Sequence, residues 1–181
     1  IHLRQEVKEL LVENCEICGI RLSDGQKVNA DAVIIATGGM SYPSTGSTGD
    51  GYRMAEAAGH HVTKRVPSLV PMTVADEWCP ELQGLSLKNI TFTMKCGKKN
   101  FYQEFGEMMF THFGITGPVV LSGSTHLAPY LKKVTVTAEI DLKPSLTDEQ
   151  LDARLLRDFE KNINKQIRNS LSELLQASMI P

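Results

Sequence analysis

The residues able to do chemistry lie in three stretches. The first runs from Thr37 to Asp50, where four glycines, Gly38, Gly39, Gly46 and Gly49, are separated by small Ser and Thr residues. A backbone stripped of Cβ atoms in this way can lie against a flat, phosphate-bearing ligand. The second is Gly106–Pro118, reading Gly-Glu-Met-Met-Phe-Thr-His-Phe-Gly-Ile-Thr-Gly-Pro. His112 sits at its centre, and an imidazole titrates near neutrality, so it can give a proton to a substrate. The other reading is that Thr111 and His112 only fix a turn. Thr116-Gly117-Pro118 before Val119-Val120-Leu121 reads as a helix start, with Pro118 in the first turn and free N–H groups open to an anionic or carbonyl-bearing ligand. The third stretch is Cys15-Glu16-Ile17-Cys18, spaced for a redox pair or half a zinc site. It falls in a hairpin-like stretch with no second C-x-x-C. The expectation is therefore four reduced thiols (Cys15, Cys18, Cys79, Cys96), no metal, and a cytoplasmic location.

The glycine stretch is neither of the two best-known phosphate cradles. A Walker loop ends in Gly-Lys-Ser/Thr, whereas Gly49 is followed by Asp50, and no G-x-G-x-x-G occurs in the chain. Near a helix start Asp50 repels phosphate and suits a polyol or an amide-bearing ring. A simple N-cap is the equal alternative. His60 and His61, beside a helix end, fit a role in stabilising its C-terminal dipole.

The elements that must position these residues follow from pattern. The opening forty residues read as strands: Val7, Leu10 and Val12, then Ile17, Ile20 and Leu22, with Ser23-Asp24-Gly25-Gln26 as a hairpin turn. Ala32-Val33-Ile34-Ile35-Ala36 is continuously apolar, which predicts a central strand of a parallel sheet with the glycine loop at its carboxyl end. A short helix then runs from Asp50 or Gly51 to a left-handed cap at Gly59. Prolines 67 and 71 make the next stretch an extended connector. Beyond it, Leu85–Met94 alternates but changes parity at Lys88-Asn89, which predicts a bulge or turn. Cys96–Asn100 reads as a turn, Phe101 as the start of a further strand, and Val134–Ile140 as another. Thr147–Gln150 fits a capping box. Leu151, Leu155, Phe159, Ile163, Ile167, Leu171 and Leu175 recur every fourth residue, drifting by about 40° per step, so a break near Asn162-Ile163-Asn164 is expected.

At 181 residues with 41% hydrophobic and 22% charged side chains, the chain has enough apolar material for a real core. A net charge of −2 and no basic stripe give no reason to expect nucleic acid, and no apolar run nears the roughly 20 residues of a membrane helix. A chain that opens on Ile1 within a strand-like pattern and closes on an apolar tripeptide looks like an excised piece of something larger.

The Ala36–Gly39 stretch, Ser41-Tyr42-Pro43, Gly46–Tyr52, Pro67–Pro71 and above all Gly106–Pro118 resemble a bacterial flavoprotein family described as NAD(P)/FAD-dependent oxidoreductases, aminoacetone-oxidase-like proteins and 3-dehydro-bile-acid Δ4,6-reductases. The likeness covers most of the chain and corresponds to the middle of such a protein. It implies an α+β fold: a partial FAD-binding α/β (Rossmann-like) domain over residues 1–72, then an inserted β-barrel-like antiparallel sheet (73–144) with a helical subdomain (145–181). The function implied is a segment of an FAD-dependent oxidoreductase that supplies part of the flavin cradle and a substrate-covering insert, with NAD(P)H as an optional second cofactor. The alternative is a non-catalytic cap or interaction fragment that binds no flavin alone. Carried over residue by residue, the resemblance places Ala36, Thr37, Gly38 and Gly39 beside the dinucleotide and Val7 where a strand backbone holds adenine. Ser41, Thr48, Gly49 and Asp50 are candidates for the flavin side; from the chemistry of the second motif itself, Thr111, Thr116 and Gly117 are substrate-side candidates and His112 a candidate proton donor. Local turn bonding is the alternative for Thr37 and Ser41. The expected partners are a small-molecule substrate and further copies of the chain meeting through exposed strand edges.

Overall fold

A computed structural model describes residues 1–131 and 135–180, which divide into two compact units, Ile1–Arg65 and Val66–Pro181. The first unit opens with an antiparallel three-stranded sheet, β1 (Val7–Glu13), β2 (Glu16–Leu22) and β3 (Lys27–Asn29), in that spatial order. The β1–β2 turn is made by Asn14 and Cys15, both left-handed at φ 50° and 66°. The second turn falls at Asp24-Gly25, where the Gln26 N–H donates to the Asp24 carboxylate at 2.9 Å. Gly19 is required in β2: a methyl there would lie 2.2 Å from the Val28 carbonyl oxygen on β3.

The predicted parallel strand at Ala32–Ala36 is not formed. The ladder ends at Asn29, and the run that follows is irregular. Ile34 is 91% exposed and Ile35 39%. Continuous apolarity makes a central strand only where neighbouring strands accept from its N–H groups and donate to its C=O groups, and none among the described residues does so. The helix α1 (Asp50–Ala57) forms as expected. It closes in a Schellman arrangement: Gly59 at φ 91° donates to Glu56 and His60 donates to Ala55, both at 3.0 Å.

The second unit is a five-stranded, wholly antiparallel sheet. Its strands are β4 (Met72–Thr73), β5 (Ser86–Cys96), β6 (Lys99–Thr111), β7 (Gly114–Thr116) and β8 (Val136–Asp141), in the order β4-β7-β6-β5-β8. Helix α2 (Pro118–Leu127) packs on one face. The core lies between them, from Leu87, Ile90, Phe92 and Met94 of β5, Met108 and Phe110 of β6, Ile115 of β7, and Val119 and Val120 of α2. The parity change read at Lys88-Asn89 is a bulge: pairing runs Leu87 with Met108, then Ile90 with Gly106, and Asn89 takes φ 55°. Val134, expected to begin the last strand, lies outside the described residues.

The capping box closes both ways on α3 (Asp148–Lys161): Thr147 Oγ1 accepts from the Gln150 N–H, and Gln150 Oε1 accepts from the Thr147 N–H. The expected break follows. Asn162 is buried and its side-chain amide donates to the Asp158 carbonyl at 2.8 Å, ending the helix before α4 (Ile167–Ser170). Lys161 pairs with Glu173 at 3.1 Å, tying the tail back to α3. The α+β class expected from the sequence is the one observed.

Candidate functional site

In the first unit the glycine loop folds down onto the start of α1. A methyl on Gly51 would lie 2.5 Å from Thr37 Oγ1 and 2.8 Å from Ile35 Cγ2, and one on Gly38 would lie 2.9 Å from Ser47 Oγ. These glycines let Ile35–Gly38 close over the helix. Gly38 also needs its own freedom, at φ 73°. The Tyr42 carbonyl gathers the far side of the loop, accepting from the N–H groups of Thr45 and Ser47 and from the Thr45 hydroxyl. Ala36, Thr37, Gly38 and Ser41 stay exposed while Gly39 is half-buried, so main chain from 36 to 41 is open to a ligand.

The N-cap reading of Asp50 is corrected by the geometry. Gly49 is the cap, left-handed at φ 87°, and no side chain caps the helix. Asp50 instead accepts from the Thr48 hydroxyl at 2.9 Å and pairs with Arg53. The first N–H groups of α1 are thus uncapped but sit beside a carboxylate, which suits hydroxyl or amide donors better than phosphate. A cleft of about 350 Å³ between β1 and α1 brings Val7 and Asp50 together. Thr37, Gly38, Gly39, Ser41, Thr48 and Gly49 do not line it.

In the second unit the fold explains most of Gly106–Pro118. A methyl on Gly106 would lie 2.7 Å from Val119 Cγ1, so this glycine admits α2 onto β6. A methyl on Gly114 would lie 2.1 Å from the Met72 carbonyl oxygen, so that glycine admits β4. Gly117, the cap of α2, takes φ 104° and ψ 170°, a region open almost only to glycine. Met108 and Phe110 are core, and Pro118 opens the helix. Thr111, His112 and Glu107 are left without such a task. Thr111 and Thr116 lie on the β6 and β7 strands of one hairpin, with His112-Phe113 as its tip. The Thr111 hydroxyl is buried with no partner among the described residues. His112 is exposed and meets the Phe113 ring edge-on at 4.9 Å. Glu107 is exposed too; sequence reasoning gave it no role.

The Tyr102 hydroxyl, with one proton to donate, lies 2.8 Å from the Val119 carbonyl oxygen at the start of α2 and also meets the Glu104 carboxylate. Burial first, then Glu104, pushes its hydroxyl up to about 12. Burial likewise raises the Cys79 thiol, with Asp76 adding to it, and the thiol donates to the Gly114 carbonyl at 3.4 Å. The four cysteines are free thiols, and no group of three His, Cys, Asp or Glu residues could hold a metal ion among the described residues.

Comparison with known proteins places both units. The model of the "HI0933-like protein barrel and H2TH domain" matches residues 66–181, and that of "Glucose inhibited division protein A" matches residues 1–69. The chain belongs to the HI0933-like family. It is 36% identical over 150 residues to a ribosomal RNA dihydrouridine synthase of Haemophilus influenzae, covering 82% of this chain and 32% of that protein. A protein of the same name from Escherichia coli is 26% identical over 192 residues, covering 95% and 47%. A 3-dehydro-bile acid delta(4,6)-reductase of Clostridium scindens is 28% identical over 160 residues, covering 88% and 39%. The chain thus spans about a third to a half of these relatives. The resemblance to FAD-dependent flavoproteins is borne out, with FAD as the cofactor of the HI0933-like family. The expectation that nucleic acid is excluded loses its support, because two relatives are named for ribosomal RNA. Among the described residues no helix is long and apolar enough to cross a membrane.

Proposed function

We propose that this chain is part of an FAD-dependent reductase that saturates a carbon–carbon double bond conjugated to a carbonyl, with the uracil ring of ribosomal RNA as its substrate. The observation that carries this is the shared chemistry of the relatives' names. Dihydrouridine is uridine with two hydrogens added across the ring bond next to a carbonyl, and a delta(4,6)-reductase of a 3-dehydro acid removes double bonds conjugated to a ketone. Bound FAD supplies the hydride transfer. The main chain of Ala36, Thr37, Gly38 and Gly39 would hold the dinucleotide, and Val7 would offer strand backbone to adenine. Ser41, Thr48 and Gly49 would face the ribityl or ring side, while Asp50, which shares a cleft with Val7, would accept from ribose hydroxyls of the adenosine half. In the second unit Thr111, Thr116 and the α2 start at Gly117 orient the substrate carbonyl. His112 would hold a proton for the carbon beside that carbonyl. NAD(P)H is the proposed source of the hydride, and the cytoplasm, where ribosomal RNA is found, the location.

The test is to incubate the flavin-loaded protein with NAD(P)H and unmodified ribosomal RNA and count dihydrouridine by mass spectrometry. A colourless protein that takes up no FAD would refute the cradle. A yellow one that reduces neither the RNA nor a conjugated steroid ketone would refute the reaction. Reduction of the steroid ketone alone favours the second reading, to which the bile-acid relative points.

A further inference from the structure

We propose that the open face of β6 around Glu107 binds a flat, partly apolar ring presenting an N–H donor between carbonyls, as the imide edge of uracil does. This rests on the reading of the substrate as a uridine. From Tyr102 to Phe110 the core-facing residues of β6 are even-numbered, so Phe105, Glu107 and Met109 share the opposite face over about 13 Å. Phe105 is 61% and Met109 37% exposed, so two apolar side chains bracket one carboxylate. Glu107 is itself exposed and enters none of the ion pairs among the described residues.

The partner strand is distorted at this point. Across from Glu107, β5 carries two residues, Lys88 and Asn89, where regular pairing has one, with Asn89 in the left-handed region. Bulges re-aim side chains and gather beside sites. Glutamate is depleted in strands, and here it forms no cross-strand ion pair with Lys88 or any other described residue. Thr116 pairs directly with Met109, which sets a hydroxyl at the end of the same stripe.

The ligand class follows from these groups. Phe105 and Met109 offer ring and thioether surface to the face of a planar ligand. The carboxylate accepts a charge-assisted hydrogen bond from a ring N–H, and the hydroxyl donates to a neighbouring carbonyl. A hydrocarbon enone covering the same patch strips water from Glu107 and returns no hydrogen bond, so the site discriminates against it.

The experiment measures equilibrium binding of uridine and of N3-methylated uridine to the flavin-loaded protein, for wild type, Glu107→Gln and Glu107→Ala. Wild type is expected to favour uridine by about 10-fold or more, the worth of a hydrogen bond to a charged group. Glu107→Ala should bind the two alike, with unchanged thermal unfolding because the residue is exposed. An equal preference in wild type and Glu107→Ala, or no binding of either nucleoside, overturns the proposal. Selective binding without any reduction of uridine sinks the proposed reaction and leaves this site standing.

Discussion

Substituting Gly106 tests whether the second motif is there to seat α2. The added methyl of Gly106→Ala would lie 2.7 Å from Val119 Cγ1, and Val119 is 1% exposed with no room to retreat. Overpacking of this kind costs about 1–3 kcal/mol. Truncating Val119 to Ala alone removes two buried methyl groups, about 1.6 kcal/mol at roughly 0.8 each. Made together, the two changes place one methyl where two were lost, and the clash is gone. The double variant should therefore be more stable than the sum of the singles by about 1–2 kcal/mol. Trp78, the one tryptophan, sits edge-on to Phe110 at 5.9 Å and reports on this unit in urea unfolding. At a slope of about 1.5 kcal/mol/M the Gly106→Ala midpoint should fall by about 0.7–2 M. Gly117→Ala is the internal control. Its methyl would meet Met108 Cα at 2.7 Å, backbone that no truncation relieves, and φ 104° adds strain of about 1–3 kcal/mol. Additive losses for Gly106→Ala and Val119→Ala, within about 0.5 kcal/mol, would refute the packing role.

Thr147→Ala removes the capping box of α3 and should cost about 1 kcal/mol, read as lost helicity on heating, whereas Thr147→Ser should cost little. The raised Tyr102 hydroxyl, at about 12 against an unfolded value near 10, adds stability that is complete below about pH 10 and is lost as pH climbs toward 12. The melting temperature should fall over that window, and an equally steep fall in Tyr102→Phe would rule Tyr102 out as its source. A thiol reagent should modify exposed Cys15 first and buried Cys79 only on unfolding; early labelling of Cys79 by mass spectrometry would contradict its burial.

What the sequence revealed was whatever local chemistry decides. The Thr147–Gln150 box, the stop at Asn162, the Asp24-Gly25 turn and the α1 cap at Gly59 each involve residues within a few positions of one another. The Lys88-Asn89 bulge was visible because it shifts the period of a strand whose one face is buried. Ala32–Ala36 failed for the converse reason: apolarity states what a strand wants, and only neighbouring strands can grant it. The Asn14-Cys15 turn was bracketed by the strand patterns ending at Val12 and resuming at Ile17, but its left-handed pair was not legible, because cysteine carries no turn signal although Asn does. Of the candidate site, the glycine loop and the α2 start were legible as shapes. Glu107 was not, because an exposed acid in a strand looks solvated until its neighbours on the face are known.

The Gly106–Pro118 motif shows how a family signature and a functional site come apart. Gly106, Gly114 and Gly117 stand where a Cβ would strike Val119, the Met72 carbonyl or the Met108 backbone. Their presence is enforced by the meeting of β4, β6 and α2 whatever reaction the protein performs. A match at those positions is therefore strong evidence for the fold and weak evidence for the substrate. The residues free to differ without loosening the sheet are Glu107, Thr111 and His112, and the Thr111 hydroxyl is buried with no partner among the described residues. If relatives that act on RNA and on steroid ketones share the glycines, the difference between them has to be written on this odd-numbered face of β6 and at its turn, and exchanging those side chains between relatives should move substrate choice while leaving stability in place.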